Sequence, residues 1–487
     1  MTGLCAALRA RAERTPGAAA LVWRDRAISF GALAQRAGRV AGGLQALGVQ
    51  PGDRIAALLP NGLAFVELLH GAIACGAVLV PIGTRLAPPE VSRLLEDAEP
   101  HLLIHGGGAL AALAGAASDR SLRRLEVGDA WNGSSADAAA APASGVSDDP
   151  IVALLYTSGT TGRPKGVMLS DANLCASAEA SQRHLGVHEG DRLLACLPLF
   201  HVGGLALLLR SVIDGSCVVL HERFDATLVN GAIDADGIAF VSLVPTGLER
   251  VLRERSERLA PPSLRAILLG GAAASAALVA RAERLGFRIA TTYGLTEAAS
   301  QVATRRPDTR GSGLTPLPGT RVAIVDERGE ACAPSTPGQI LVAGPTVMRG
   351  YWRRPDDTAR VLAGGWLHTG DIGSLDASGG LHVLARRSDL IVSGGENVYP
   401  AEVEAVLAAH PHVDEVAVAG IPDPEFGARP AAWIVATHAT SPAALRCFCR
   451  ARLAGFKVPV AFHFVTELPR NASGKVLRDR LAALQSM

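Results

Sequence analysis

Seven short apolar runs punctuate the first 271 residues: RIAALLP (54–60), VLVPI (78–82), HLLIH (101–105), IVALLYT (151–157), CVVLHE (217–222), AFVSLVP (239–245) and AILLGG (266–271). Most close on Gly, Pro or Thr. They are apolar throughout and do not alternate, so both faces of each strand must be covered. Helical periodicity over 63–75 and 274–285 falls between such runs. A chain built this way predicts an α/β fold with parallel sheets packed between helices. From 106 to 149 the text turns to Ala, Gly, Ser and Asp with little period. That predicts a surface excursion before the strand at 151–157.

Beyond about residue 315 the texture changes. RVAIVDERGEACAP and GQILVAGPTVMRGYW predict antiparallel strands with tight turns, a β-barrel-like part added to the large domain. A second shift follows Arg386. The segment 403–437 reads helix, strand, turn, strand. A chain of 487 residues exceeds what one core supports. The expectation is a large N-terminal domain over 1–386, with mixed or parallel sheets covered by helices, and a small α+β domain over 387–487.

Charge excludes some functions. Lys and Arg total 47 against 46 Asp and Glu, and the two signs are interspersed. No basic stripe is present, which argues against a nucleic-acid partner. The eight cysteines are scattered without metal-ligand spacing, as in a reduced cytoplasm. The start, MTGLCAALRARAERTPG, reads as an amphipathic helix and not as a signal peptide. The longest apolar run, near 203–213, is interrupted by Arg210 and falls short of the ~18 residues a membrane span requires. No integral membrane segment is expected, and the chain is expected in the cytoplasm. A homo-oligomer stays open beside a monomer.

Only three of the 47 basic residues are lysines: Lys165, Lys457 and Lys475. Elsewhere the chain uses Arg. The lysines that remain mark positions where a compact ammonium is not replaceable by a planar fork. Two lie in loops of small residues, YTSGTTGRPKGVMLS (156–170) and PRNASGKVLRDRL (469–481). The first follows an apolar strand and packs Thr, Ser and Gly ahead of Lys165. Small residues let backbone N–H groups turn toward an anion, hydroxyls add donors, and the lysine adds charge. A Walker A loop is excluded, because Pro164 stands at its second Gly position and Gly166 at its Ser/Thr position. A phosphate cradle of another kind remains.

These two loops, with TYGLTEAAS (291–299), GWLHTGDIG (365–373) and RRSDLIVSGGENVYPAEVE (386–404), resemble in order and spacing the signature motifs of the adenylate-forming superfamily. That family contains acyl- and aryl-CoA synthetases, luciferases and nonribosomal adenylation domains. The resemblance spans essentially the whole chain. It implies an ATP-dependent acid–thiol ligase that passes through an acyl-adenylate and releases AMP and pyrophosphate. It implies ATP, Mg²⁺ and coenzyme A as cofactors and a small carboxylic acid as partner. By the same resemblance Lys165 with Thr157, Ser158, Gly159, Thr160, Thr161 and Gly162 would hold the β- and γ-phosphates. Glu297 would hold Mg²⁺, a hard cation suited to carboxylate oxygen. Thr296 would meet the α-phosphate. Tyr293, Gly294 and the turn Gly270, Gly271, Ala272 would flank the adenine. Asp371 and Arg386 would bind the ribose. Lys475 would bridge the acid carboxylate and α-phosphate during adenylation. A large rotation of the C-terminal domain about Arg386–Asp389, with Ser388 at the pivot, would then bring Ser393, Gly394 and Gly395 to a pantetheine tunnel.

Within the superfamily, LPLFHVGG (197–204) is similar to an aromatic gate, with His201 near the carboxylate entrance and Gly203 beside it. The stretch 197–225 and YGLTEAASQVAT are most similar to the ligases of menaquinone biosynthesis that act on o-succinylbenzoate. Fatty, aryl or malonate-like acids are the alternative substrates. A stand-alone adenylation enzyme loading a carrier protein is the alternative class. Arg210, in its apolar run, either meets a second substrate carboxylate or snorkels to the surface.

Overall fold

The computed structural model describes residues 3–117, 119, 121–128, 147–158, 164–272, 274–309, 313–385, 390–469 and 476–484. All seven apolar runs form strands, and all seven fall in two large sheets beside at least one parallel neighbour, as expected. The nine-stranded sheet carries six successive parallel strands: Ala19–Trp23, Cys217–Leu220, Arg192–Ala195, Ile238–Leu243, Ala266–Leu269 and Ile289–Leu295. Antiparallel strands close both edges. The seven-stranded sheet is parallel from Ile151–Ser158 through Val78–Pro81, Arg54–Leu58 and Leu102–His105 to Arg124–Glu126.

Helices Phe30–Ala46 and Leu63–Cys75 lie against each other between these layers. The second is buried almost all round, as its unbroken apolar composition requires, and it stops at Gly76 in the left-handed region, φ 74°. The expected surface excursion is partly corrected. Helix Ala109–Ala117 and strand Arg124–Glu126 lie inside 106–149, and the strand extends the seven-stranded sheet. The helix hid because Ala and Gly carry little periodic contrast and only Ala114 and Ala117 are buried.

A third, antiparallel sheet of Arg321–Val325, Gly338–Ala343, Trp366–Leu375, Leu362–Ala363 and Leu381–Ala385 supplies the half-barrel-like part. The smaller C-terminal domain has its own sheet. Strands Val413–Asp423 and Gly427–Ala436 form a long antiparallel pair, and Ala461–Phe464 joins in parallel. Helices Pro400–Ala408 and Pro442–Arg450 bury Val403, Leu407, Leu445 and Cys449 against Val418 and Ile434. Among the described residues no helix is long and apolar enough to cross a membrane.

Candidate active site

The C-terminal ends of the central parallel strands open onto one cavity of about 250 Å³. That is where loops of an open α/β sheet are free to bind a ligand. Strand Ile289–Leu295 ends in a 3₁₀ turn, Thr296–Ala298, which presents Thr296 and Glu297 to the cavity. Gly294 must be glycine: a Cβ there would lie 1.8 Å from the Ser300 carbonyl oxygen. Gly270 and Gly271 line the same space, Gly271 at φ 82°. Ala272 belongs to the same turn but not to the lining.

Opposite the turn, Asp371 is buried at the cavity wall on strand Trp366–Leu375. Its Oδ2 accepts from the Tyr293 hydroxyl at 2.6 Å, and its own N–H donates to Thr369 Oγ1 at 3.1 Å. Tyr293 therefore stands behind Asp371 and orients it. Glu297 is held too: the Tyr351 hydroxyl donates to Oε1 at 2.9 Å. Tyr351 was not singled out in the sequence, although it sits in the GYW of a segment read only as strand.

Thr157 lines the cavity from the end of the strand that precedes the Gly/Thr loop. Lys165 begins the return strand, paired with Thr157 across the hairpin. Its side chain is buried, its Nζ lies 3.1 Å from Asp357 Oδ1, and it packs over the Tyr351 ring. Gly159, Thr160, Thr161, Gly162, Arg386, Ser388 and Lys475 lie outside the described residues, as does the side chain of Ser158.

The apolar end of the cavity is built by helix Val202–Asp214, whose N-terminus carries His201, Gly203 and Gly204. Arg210, two turns further on, points into the cavity. It does not snorkel to solvent: only 7% of it is exposed. Its Nη2 reaches Ser300 Oγ at 3.4 Å, and its Nε has no hydrogen-bond partner among the described residues. Burial pulls its pKa down to about 10, with Asp214 acting the other way, so it remains a cation at neutral pH. Gln301, in the same wall, is fixed by Ser181 at 2.7 Å and Thr304 at 3.0 Å.

A second cavity of about 110 Å³ adjoins the first and shares Thr157, His201, Thr296 and Asn397 with it. Its walls come from both domains, including Gly83 and Phe200 on one side and Glu396 and Phe456 on the other. His201 stands at the junction, its Nε2 3.1 Å from Glu396 Oε2. Arg85 pairs with the other oxygen of Glu396. Burial alone would raise the Glu396 carboxyl, but His201 and Arg85 outweigh it and hold the group below its ordinary value. Gly395 contributes backbone to the first cavity, with φ 90°. Ser393 and Gly394 are adjacent but do not line either space.

One cavity is thus lined by two carboxylates, Asp371 and Glu297, each held by a tyrosine hydroxyl, and by the buried guanidinium of Arg210. Residues 8–352 match the model of the AMP-binding enzyme family, and residues 402–475 match that of the AMP-binding enzyme C-terminal domain. The chain belongs to this family. It is 41% identical to the 2-succinylbenzoate–CoA ligase of Bacillus licheniformis, over 97% of this chain and 98% of that one. It is likewise 41% identical to the enzyme of the same name from Geobacillus kaustophilus, over 98% and 97%. Among solved structures, o-succinylbenzoate CoA synthetase (MenE) from Bacillus subtilis, a double mutant bound with the product analogue OSB-NCoA, superposes with TM-score 0.92 at 37% identity, covering 99% of this chain and 98% of that one. The same enzyme in complex with the acyl-adenylate OSB-AMP gives 0.73 at 38% identity and the same coverage.

Proposed function

We propose that this chain is an ATP-dependent ligase that joins o-succinylbenzoate to coenzyme A through an acyl-adenylate, releasing AMP and pyrophosphate. The observation that carries the substrate is Arg210. A buried guanidinium whose Nε has no hydrogen-bond partner among the described residues, facing the cavity, is costly unless a ligand anion completes it. o-Succinylbenzoate has two carboxylates. One can react while the other meets Arg210, and its ring fills the apolar space between them.

Adenylation forms a bond between a carboxylate oxygen and the α-phosphorus while the bond to pyrophosphate breaks. Two anions meet, so cations and N–H donors must offset their charge. Lys165, Thr157 and the Gly/Thr loop serve the leaving phosphates, Thr296 serves the α-phosphate, and Asp371 with Arg386 holds the ribose. Glu297 would hold Mg²⁺, a hard cation that prefers carboxylate oxygen, and the Tyr351 hydroxyl donates to Oε1 and orients the carboxylate. Bound there, Mg²⁺ would neutralise phosphate charge. Lys475 supplies the cation between the two anions.

The second half-reaction forms the bond from sulfur to the acyl carbon and releases AMP. We place the boundary of the mobile domain at 386/387, with the pivot at Ser388. Coverage and identity are alike for the two MenE complexes while the TM-score falls from 0.92 to 0.73, which supports a difference in how parts of the fold are placed relative to each other. We assign the orientation here to the thioester-forming step; Glu396 against His201 and Gly395 in the cavity wall support that reading. A cytoplasmic site of action is part of the same proposal, in keeping with eight cysteines that all stand as thiols.

The test is ATP- and CoA-dependent AMP release with o-succinylbenzoate, benzoate, malonate, octanoate and palmitate side by side. o-Succinylbenzoate is expected to give the highest kcat/KM. Faster turnover of octanoate or palmitate overturns the substrate and leaves the ligase chemistry. Adenylate formation with no transfer to CoA overturns the thiol acceptor.

A further inference from the structure

Lys457 has no part in the chemistry above, yet it is one of three lysines the chain retains. It lies in the C-terminal domain, 6% exposed, on a 3₁₀ turn, Gly455–Lys457. Its Nζ donates to Glu402 Oε1 at 2.8 Å within its own domain and to Glu90 Oε1 at 2.5 Å across the domain interface. Glu90 belongs to helix Pro88–Ala98 of the large domain and is 4% exposed. Its other oxygen accepts from two backbone N–H groups. One is Ala87, at 2.7 Å, where Glu90 caps its own helix. The other is Ala454 of the C-terminal domain, at 2.6 Å.

Glu90 Oε2 therefore holds both its own helix and the other domain, Oε1 takes Lys457, and two of the three contacts grip the other domain. Both interdomain donors come from the turn at 454–457. Inside the C-terminal domain Lys457 is already paired, with Glu402. The Glu402 Oε2 has no partner among the described residues, and burial together with Glu90 raises that carboxyl while Lys457 pulls it back. The cluster thus holds two buried carboxylates around one buried ammonium, with the Arg93 charge acting on Glu402 from the same helix as Glu90. It is complete only when the two domains meet as they do here. A compact ammonium fits between two carboxylates where a guanidinium would need a wider, planar slot.

We propose that Glu90 and Lys457 form an interdomain latch that positions the C-terminal domain for thioester formation. The pair grips one lid orientation and contributes nothing to the other. It sits outside the nucleotide and acid cavities, at the edge of the space shared by both domains. The proposal rests on the two-orientation reading given above.

Glu90→Gln is the informative variant, because a Gln oxygen still caps the Ala87 N–H while the charge is lost. Transfer from preformed acyl-adenylate to CoA should slow by roughly 10-fold or more, since the competent orientation becomes less populated. Adenylate formation from acid and ATP should stay within about twofold of wild type. Lys457→Met should act likewise, and the double variant should be no slower in transfer than the worse single one, as coupled partners are not additive. Energy transfer between a dye on the exposed Cys447 and one on Leu228→Cys reads lid orientation independently of turnover. It should shift in Glu90→Gln. Equal slowing of both half-reactions, or an unchanged transfer rate with an unchanged dye distance, overturns the latch. Failure of the two-orientation reading has another signature: wild-type protein whose dye distance is the same with ATP as with the thioester product.

Discussion

Lys165 and Asp357 form an ion pair, Nζ to Oδ1 at 3.1 Å, at the edge of the Gly/Thr loop. Asp357 is also held by Arg360 at 3.1 Å. On the role proposed for Lys165, a triphosphate takes its ammonium away from Asp357. The carboxylate is then a competitor for the ammonium and, once displaced, a like charge near phosphate.

Removing the competitor should help ATP. Asp357→Asn is expected to lower the KM for ATP by about 2- to 5-fold, the scale of a partly exposed ion pair. Lys165→Met should raise it by roughly 10- to 100-fold. Pyrophosphate release measured against ATP concentration checks both. If Asp357→Asn raises KM instead, the aspartate positions Lys165 for ATP.

Tyr351 and Glu297 give a second prediction. Tyr351→Phe removes the 2.9 Å hydrogen bond and leaves the carboxylate in place. Half-saturation by Mg²⁺ should rise several-fold, with kcat largely kept, because an outer partner tunes a metal ligand by about 10- to 100-fold at most. Calorimetric titration of Mg²⁺–ATP should show the same weakening without turnover. Glu297→Gln should lose far more. An unchanged Mg²⁺ requirement in Tyr351→Phe would leave the tyrosine as packing only.

Arg210 sets the third. Arg210→Ala should cut kcat/KM for o-succinylbenzoate by about 10- to 150-fold, corresponding to about 1.5–3 kcal/mol for a charge-assisted bond. Benzoate, with one carboxylate, should be affected little. A pKa of about 10 keeps the guanidinium charged below pH 9. The preference for the diacid should therefore be flat from about pH 6 to 9 and decline only as the cation is lost above that range. Equal slowing of all acids in Arg210→Ala would make Arg210 structural.

The strands were legible because buried parallel strands are apolar on both faces, and the boundaries of Leu63–Cys75 and Ile151–Ser158 fall within a residue of the periodic text. Arg210 was legible as a charge in an apolar run, but only packing shows that it turns inward beside Ser300. Asp357, Tyr351, Glu90 and Glu402 were not legible as partners. Each sits in an ordinary helical or strand context, and its meaning comes from a lysine or carboxylate far away in the chain. The Ala-rich helix Ala109–Ala117 was missed for the opposite reason: its residues are too alike to show a face.

The last prediction separates the two half-reactions. Lys475→Ala should abolish acyl-adenylate formation from acid and ATP, because only that step brings carboxylate and α-phosphate together. It should largely spare thioester formation from supplied acyl-adenylate and CoA. Ser388→Pro should do something different. Proline fixes φ near −65°, so the pivot loses torsional freedom and exchange between orientations suffers. The expected pattern is one half-reaction retained and the other lost, with the dye distance frozen. Rapid-quench measurement of each half-reaction gives the comparison directly. Equal loss of both in Lys475→Ala would remove the lysine from its bridging role, and a Ser388→Pro protein with both steps intact would move the pivot to another residue.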